Sequence, residues 1–434
     1  MRHTWSESIR IWLDKNKGII LDFVQDLVRF NTVNEVTHGS EKECQLFLAQ
    51  YLRDMEMNVD VFSPEDVPRF REHEAFFPGK DYTDRPNVVA VMNGKGEGKS
   101  LLFSSHIDTT VAAPGWNRDP WTPEVSEGKL YGLGTFDMKG GLSASVMAVR
   151  CIRELGIQLQ GDLWVESVVD EEFGGANGTL ASRLKGYNPD AAIIPEPTNM
   201  AVCPGTRGGA LWRVTFKGNT GMSFSGEKIM NPALMAAKFI VFLEAYEIAA
   251  RDKAGPQPWF EEDRSLSVIV TRLEAGDLSA PLCDSGPTTC HVDIWVECHP
   301  HMTEKQLQQD LLTGFSQMYA NSYSEWQEPE FTKMIRFLPG CEVDAGFPLI
   351  DMLAYHMEEV TGTAAIKAGA PFACDAFMFN LHSTTPAIVM GPSGGNAHAP
   401  DEYIDIPQFF QLIEIYVLTI LNWCGIAEEG GQDE

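Results

Sequence analysis

The sequence predicts an α/β protein with a mixed sheet, its larger unit interrupted by a smaller inserted one. Three observations predict this. Apolar, β-branched runs alternate with stretches whose apolar residues recur at helical spacing. The pattern changes character after about residue 210 and returns to its first character at about 341. The length, 434 residues, exceeds what one compact core accommodates.

Along the chain, residues 18–30 and 41–57 read as helices, the second with Leu46, Phe47, Tyr51 and Leu52 at helical spacing. Asn87–Met92, Ser100–Ser104 and Asp162–Val169 are short, rich in Val or Leu and flanked by turn residues, as buried strands are. Gly140-Gly141 opens a helix from Leu142 to Leu155, and a further strand, Asp190–Ile194, ends at Pro195. Ala210–Lys217 then alternates as a half-buried strand. Asn231-Pro232 starts a helix to about Ala250, with Asn as cap and Pro in the first turn. Strands at about 265–273 and 289–297, a helix at 304–320 and a strand near 330–337 complete a β-α-β-β-α-β unit, which is ferredoxin-like. A helix at 348–360, a strand at Ala387–Gly391 and a helix at 407–424 follow. The expected division is therefore 1–209 with 341–434 as one domain and 210–340 as the insertion. The acidic tail Glu428–Glu434 is expected to fray.

Composition excludes several partners. Against 61 Asp and Glu stand 33 Lys and Arg, a net charge of −28, which opposes both nucleic-acid phosphates and anionic lipid headgroups. With 44% hydrophobic and 10% aromatic residues the chain has ample core and is not disordered. The first 23 residues have no uninterrupted apolar run, Asp14, Lys15 and Lys17 breaking it, and no stretch is long enough to span a bilayer. The 9 cysteines are scattered without a C-x-x-C pair, which fits buried, reduced thiols and a cytoplasmic protein.

Phosphate-binding loops are the first chemistry to test. Gly94 to Ser100 ends like a P-loop, but Asn93 occupies the place of its first glycine and an apolar strand follows where a helix is required. Gly132-Leu133-Gly134 lacks the third glycine of a dinucleotide fingerprint.

The informative residues are acids and imidazoles at strand ends. His106 and Asp108 follow the run LLFSS; in an extended chain they project to one side. Asp137 lies in the turn GTFDMKGG before a helix, Glu171 and Glu172 end LWVESVVD, Glu196 follows AAII, and His398 follows AIVMG within GNAHAPDEY. Open α/β sheets bind ligands at the carboxyl ends of their strands, so these groups converge. Carboxylates packed so closely imply a cation. Two His and three carboxylates without Cys suit Zn²⁺ or another divalent first-row metal better than Ca²⁺.

With SSHIDTT, YGLGTFDMKGG, VVDEEFGG, PEPTN and GNAHAPDEY in this order, the sequence resembles the M20 metallopeptidase family of acetylornithine deacetylases, succinyl-diaminopimelate desuccinylases, aminoacylases and glutamate carboxypeptidases. The resemblance implies a dizinc catalytic domain with an inserted lid and dimerisation domain. It implies that Asp137 bridges two Zn²⁺ ions, for which Co²⁺ or Mn²⁺ can substitute. His106 and Glu196 would complete one ion's ligands, Glu172 and His398 the other's. Asp108 would orient His106, and Glu171 would be the general base, carrying a proton from the attacking water to the leaving nitrogen. Glu at the position of Glu196 points to deacylases and carboxypeptidases rather than aminopeptidases and dipeptidases.

Departures from the family pattern bear on substrate. In KGNTGMSF, Met222 stands where the family has a histidine that stabilises the oxyanion, and Met cannot donate a hydrogen bond. Losing one such donor costs about 10²–10³ in rate. An Asn-x-x-Pro that touches substrate in the family aligns with Asp284-Ser285-Gly286-Pro287, and the Arg of the next strand is missing from HVDIWVECHP. These changes weaken the grip on a substrate carboxylate. The expected substrate is thus an atypical N-acylated amino acid, amine or amide, cationic or less acidic. A metallo-carboxypeptidase or dipeptidase acting on short peptides has the same core, and a catalytically weakened binding protein is the alternative from another class. By resemblance, the chain is a homodimer paired through the inserted domain.

Overall fold

The computed structural model describes residues 2–219, 226, 229–253, 257–260, 266–276, 279, 285–319 and 327–427. Met222, Asp284 and the acidic tail lie outside them. Helices α1 (Arg2–Lys15), α2 (Lys17–Arg29) and α3 (Lys42–Asp54) lead to strands β1 (Asn58–Phe62), β2 (Asn87–Met92) and β3 (Leu101–His106). A short hairpin, β4 (Glu124–Ser126) and β5 (Lys129–Tyr131), precedes α4 (Gly140–Glu154), β6 (Leu163–Val168), α5 (Asn177–Lys185), β7 (Ala191–Ile194) and β8 (Val202–Thr206). Then come β9 (Gly208–Lys217), α6 (Pro232–Lys253), β10 (Val268–Ala275), β11 (Thr289–Cys298), α7 (Glu304–Met318) and β12 (Glu330–Lys333). The chain closes with β13 (Cys341–Glu342), α8 (Pro348–Thr361), β14 (Lys367–Ala370), α9 (Ala376–Asn380), β15 (Ala387–Val389), β16 (Gly394–Gly395), β17 (Tyr403–Asp405) and α10 (Ile406–Cys424).

These elements form two compact units, Met1–Gly205 with Glu342–Ala370 and Cys374–Glu434, and Thr206–Cys341 with Pro371–Ala373. The first is built on a mixed sheet in the order β1-β2-β6-β3-β7-β15-β8-β13, with β14 joined to β8. At its centre β6, β3, β7 and β15 run parallel, so their carboxyl ends share one edge. Their side chains are buried almost throughout, which is why they read in sequence as unbroken apolar runs. Helices α4 and α10 pack on one another and on β3. Residues 93–100, the P-loop-like stretch, simply join β2 to β3, with no helix behind them.

The second unit has the strand order β10-β11-β9-β12, all antiparallel, in which β11 and β9 separate strands joined through helices. Its core gathers Trp212, Val214, Phe216, Phe239, Phe242, Ile294 and Phe315. The chain enters and leaves this unit side by side: Gly209 and Leu338 exchange backbone hydrogen bonds of 2.8 and 2.9 Å. Gly208 there needs to be glycine, because a Cβ would come within 2.3 Å of the Gly340 nitrogen. The eight described cysteines are buried and none of them forms a disulfide, and among the described residues no helix is long and apolar enough to cross a membrane.

Candidate metal centre

The site lies in the first unit, at the shared carboxyl edge of the parallel strands. His106 is the last residue of β3, Glu171 and Glu172 follow β6, Glu196 follows β7, and His398 lies beyond β15. Asp137 comes from the turn between β5 and α4. That turn approaches closely because α4 begins with Gly140-Gly141, and a Cβ on Gly141 would fall 2.0 Å from the Pro195 carbonyl oxygen. The pair of glycines after DMK thus lets the Asp137 segment abut the strand end that carries Glu196.

Asp137 occupies the middle. Its Oδ1 is 3.1 Å from His106 Nε2 and its Oδ2 is 3.1 Å from His398 Nε2. Glu196 lies 3.7 Å from His106, and Glu172 lies 3.3 Å from His398. Two groups result, His106, Asp137 and Glu196, and Asp137, Glu172 and His398; in each the ligand atoms lie within 4.8 Å of one another. They share Asp137. In the first, His106 and Glu196 are buried, whereas the His398 side chain of the second is 53% exposed.

Asp108 meets the His106 ring through its backbone, with its side chain close by. The His106 Nδ1–H donates to its backbone carbonyl at 2.9 Å, while its carboxylate stands 3.7 Å away. The carboxylate accepts the backbone N–H of Glu171 at 3.1 Å, that of Glu172 at 3.0 Å, and the Asn34 amide at 2.9 Å. The backbone keeps pairing beyond β3, with Ile107 N–H donating to the Val168 carbonyl and Thr109 bridged to Val33, so the Asp108 side chain stays near His106. Asp108 therefore organises the turn bearing both glutamates. Asp170 and Phe173, on either side of that turn, have left-handed φ of 65° and 58°. Asp170 is held by Lys80 Nζ at 2.9 Å and by the Tyr82 hydroxyl at 2.6 Å.

The electrostatics show a cluster short of positive charge. Burial pushes the Glu171 carboxyl well above the usual range; the His106 imidazole opposes this, while Asp375, Glu196 and Glu172 reinforce it. Burial lifts Glu196 to about 8 against the pull of His106. In Asp137, hydrogen bonds from both imidazoles outweigh burial and hold the carboxyl below its usual range. The Glu172 carboxylate, foremost, pushes His398 up to about 12. Protons on the imidazoles supply the missing charge in this arrangement; divalent cations would supply it with the imidazoles neutral.

The residues fit such cations. Glu172 Oε1 is buried without a hydrogen-bond partner, and Asp137 directs one oxygen into each group. Imidazole and carboxylate donors suit first-row divalent metals.

Sequence reasoning brings together all five ligand candidates and Glu171, but not the groups that hold them. Asn34 has no local signal. Glu402 stands inside GNAHAPDEY, where its role depends on a turn far back in the chain. Asp375, which accepts a hydrogen bond from the Thr179 hydroxyl, lies in a stretch without a recognised motif. In the second unit, the His291 ring nitrogen is 2.9 Å from the Thr215 hydroxyl.

Comparison with known proteins places these features in a wider group. The model of "Peptidase family M20/M25/M40" matches residues 102–422. The N-formyl-4-amino-5-aminomethyl-2-methylpyrimidine deformylase of Bacillus subtilis is 26% identical over 97% of this chain and 98% of its own. The acetylornithine deacetylase of Shigella sonnei is 24% identical over 91% of this chain and 94% of its own. Among solved structures, the di-peptidase Dug1p from Saccharomyces cerevisiae superposes with a TM-score of 0.74, at 14% identity, covering 96% and 98% of the two chains. The Bacillus subtilis YXEP protein, a dinuclear metal binding peptidase, does so with a TM-score of 0.60 at 14% identity, covering 93% and 97%. The structural likenesses show the fold.

Proposed function

Because the chain belongs to peptidase family M20/M25/M40, whose members are metal-dependent hydrolases of amide bonds, we propose that it is a zinc-dependent deacylase of a small N-acylated amine. The observation that carries this reading is the sharing of Asp137 between two ligand groups, with Glu171 beside them. When bound, two zinc ions would polarise the scissile carbonyl and supply a strong nucleophile at neutral pH. His106, Asp137 and Glu196 would hold one ion, and Asp137, Glu172 and His398 the other. Glu171 takes the proton of the attacking water and hands it to the leaving nitrogen. Its raised carboxyl pKa suits a group that must both accept and release a proton. Asp108 keeps the Glu171 backbone in place for this transfer.

The names of the two sequence relatives, a deformylase of an aminomethylpyrimidine and a deacetylase of acetylornithine, support a short acyl group on an amine. The net charge of −28 favours a cationic substrate by electrostatic attraction. A panel of N-formyl and N-acetyl amines set against dipeptides tests the reading. The acylated amines are expected to show kcat/KM at least about tenfold higher, which corresponds to roughly 1.4 kcal/mol of transition-state binding. Faster turnover of dipeptides would transfer the chain to the peptidase reading. No turnover of either by the zinc-loaded protein would favour a binding protein on the same fold.

The reading includes a homodimer formed through the second unit and a reducing, cytoplasmic setting, the latter supported by the described cysteines, none of which forms a disulfide. The support for pairing is β10, an edge strand that leaves Ile269 and Leu273 51% and 58% exposed. Unpaired strand edges with apolar side chains invite a second strand. Leu273→Lys is expected to turn a sedimenting dimer into a monomer while leaving the circular-dichroism spectrum unchanged. An unaltered sedimentation coefficient removes this part of the reading.

A further inference from the structure

The loop that carries His398 also carries a buried carboxylate with no part in the chemistry above. Asn396, His398 and Asp401 all have left-handed φ, of 63°, 57° and 58°, and the Asn396 amide donates to the carbonyls of Pro400 and Asp401 at 3.2 Å. The loop is thus folded back on itself. At its end Glu402 turns inward and is 1% exposed. Its Oε2 accepts the backbone N–H of Gly134 at 2.9 Å, and its Oε1 accepts those of Phe136 at 2.8 Å and Asp137 at 2.9 Å. The Gly132 N–H donates to the Glu402 carbonyl at 3.0 Å, and β17 pairs with β5, so the loops of His398 and Asp137 run side by side.

A buried carboxylate is costly, and three backbone donors are what compensates it. An uncharged side chain could tie two loops together at less cost. What the carboxylate adds is the ability to accept all three N–H groups at once, and one of the three belongs to Asp137 itself.

We propose that Glu402 is a positioning residue that sets Asp137 against His398 and thereby decides whether the second cation position forms. This rests on reading the site as a metal centre. The two positions depend on Glu402 to different degrees. In the first, His106 and Glu196 are fixed at the ends of β3 and β7, two strands paired in parallel within the sheet. In the second, both Asp137 and His398 come from the loops that Glu402 joins. Loss of the tie therefore weakens the second position, with two ligands in those loops, more than the first, with one.

The test is a titration of demetallated full-length protein with Zn²⁺, read by calorimetry and by metal analysis after gel filtration. The wild-type chain is expected to take up two equivalents. Glu402→Gln keeps the size of the side chain, but its NH₂ group faces N–H donors. It is expected to bind the second equivalent about 10–100-fold more weakly and to weaken the first far less, since only Asp137 of that position's three ligands lies in a loop that Glu402 ties. Glu402→Asp keeps the charge and is expected to lie between the two; it carries the test if the glutamine variant does not fold. Val165→Ala, in β6 and away from both loops, controls for general destabilisation and is expected to keep both equivalents. Two wild-type affinities in the Glu402 variants would overturn the proposal, as would equal weakening of both positions or loss of the second zinc in Val165→Ala. A wild-type chain that binds no zinc would instead overturn the metal reading, and this proposal with it.

Discussion

Glu171→Gln is expected to lower kcat on the best acylated amine by about 10²–10⁴-fold while both cations stay bound. The glutamine is nearly isosteric and keeps the backbone N–H that donates to Asp108, so the turn should stay in place. What it loses is the capacity to take a proton. The surroundings suit that role: burial, together with the neighbouring carboxylates of Asp375, Glu196 and Glu172, disfavours the charged form of Glu171 and so would strengthen it as a base. Steady-state kinetics alongside metal analysis of the same sample checks the outcome. Activity within tenfold of wild type, at unchanged metal content, would show that another group carries the proton.

Asp137→Ala should have the larger effect, because one substitution removes a ligand from both groups. Bound cations would supply several kcal/mol of transition-state stabilisation, and each 1.36 kcal/mol is a factor of ten, so a loss of about 10⁴-fold or more is expected. Dialysis of the wild-type protein against a chelator should reproduce the loss, and Zn²⁺ should restore the activity, with Co²⁺ or Mn²⁺ as partial substitutes. Stability should follow. A cation at a hundred times its Kd adds about 2.7 kcal/mol to the folded state, so stripping lowers the melting temperature of the wild type. The alanine variant, having little affinity to lose, should melt at one temperature with or without chelator. Activity that survives complete metal removal would sink the metal-dependent mechanism.

Much of the larger unit is legible in the sequence because its central strands are buried on both faces. Asn87–Met92 has the expected limits, and β3, β6 and β7 lie within two residues of theirs. Other elements carry no such signal. Strand β8, VCPGT, contains a proline and a glycine that argue against a strand, yet it pairs within the sheet. Helix α1 and the two- and three-residue strands β4, β5, β13, β16 and β17 have no counterpart in the sequence reading; these strands are too short to show any period. In the site, the candidate ligands can be found because each lies at a strand end, in a turn before a helix or in a loop after a strand that the sequence marks. Their supports cannot. Asn34 reaches Asp108 across 74 positions and Glu402 reaches Gly134 across 268, and nothing local in either segment encodes the partner.

The adjoining ends of the second unit have a consequence for how the chain can be rearranged. Since Gly209 and Leu338 are bridged, the continuous stretch Thr206–Cys341 begins and finishes at one point, although Pro371–Ala373 belong to the same unit. Joining Gly205 to Glu342 through a short Gly/Ser linker would excise it and leave the covalent path through β6, β3, β7 and β15 unbroken. The same junction is the place to graft a stretch of different sequence, which would vary the inserted unit while leaving the candidate ligands unchanged.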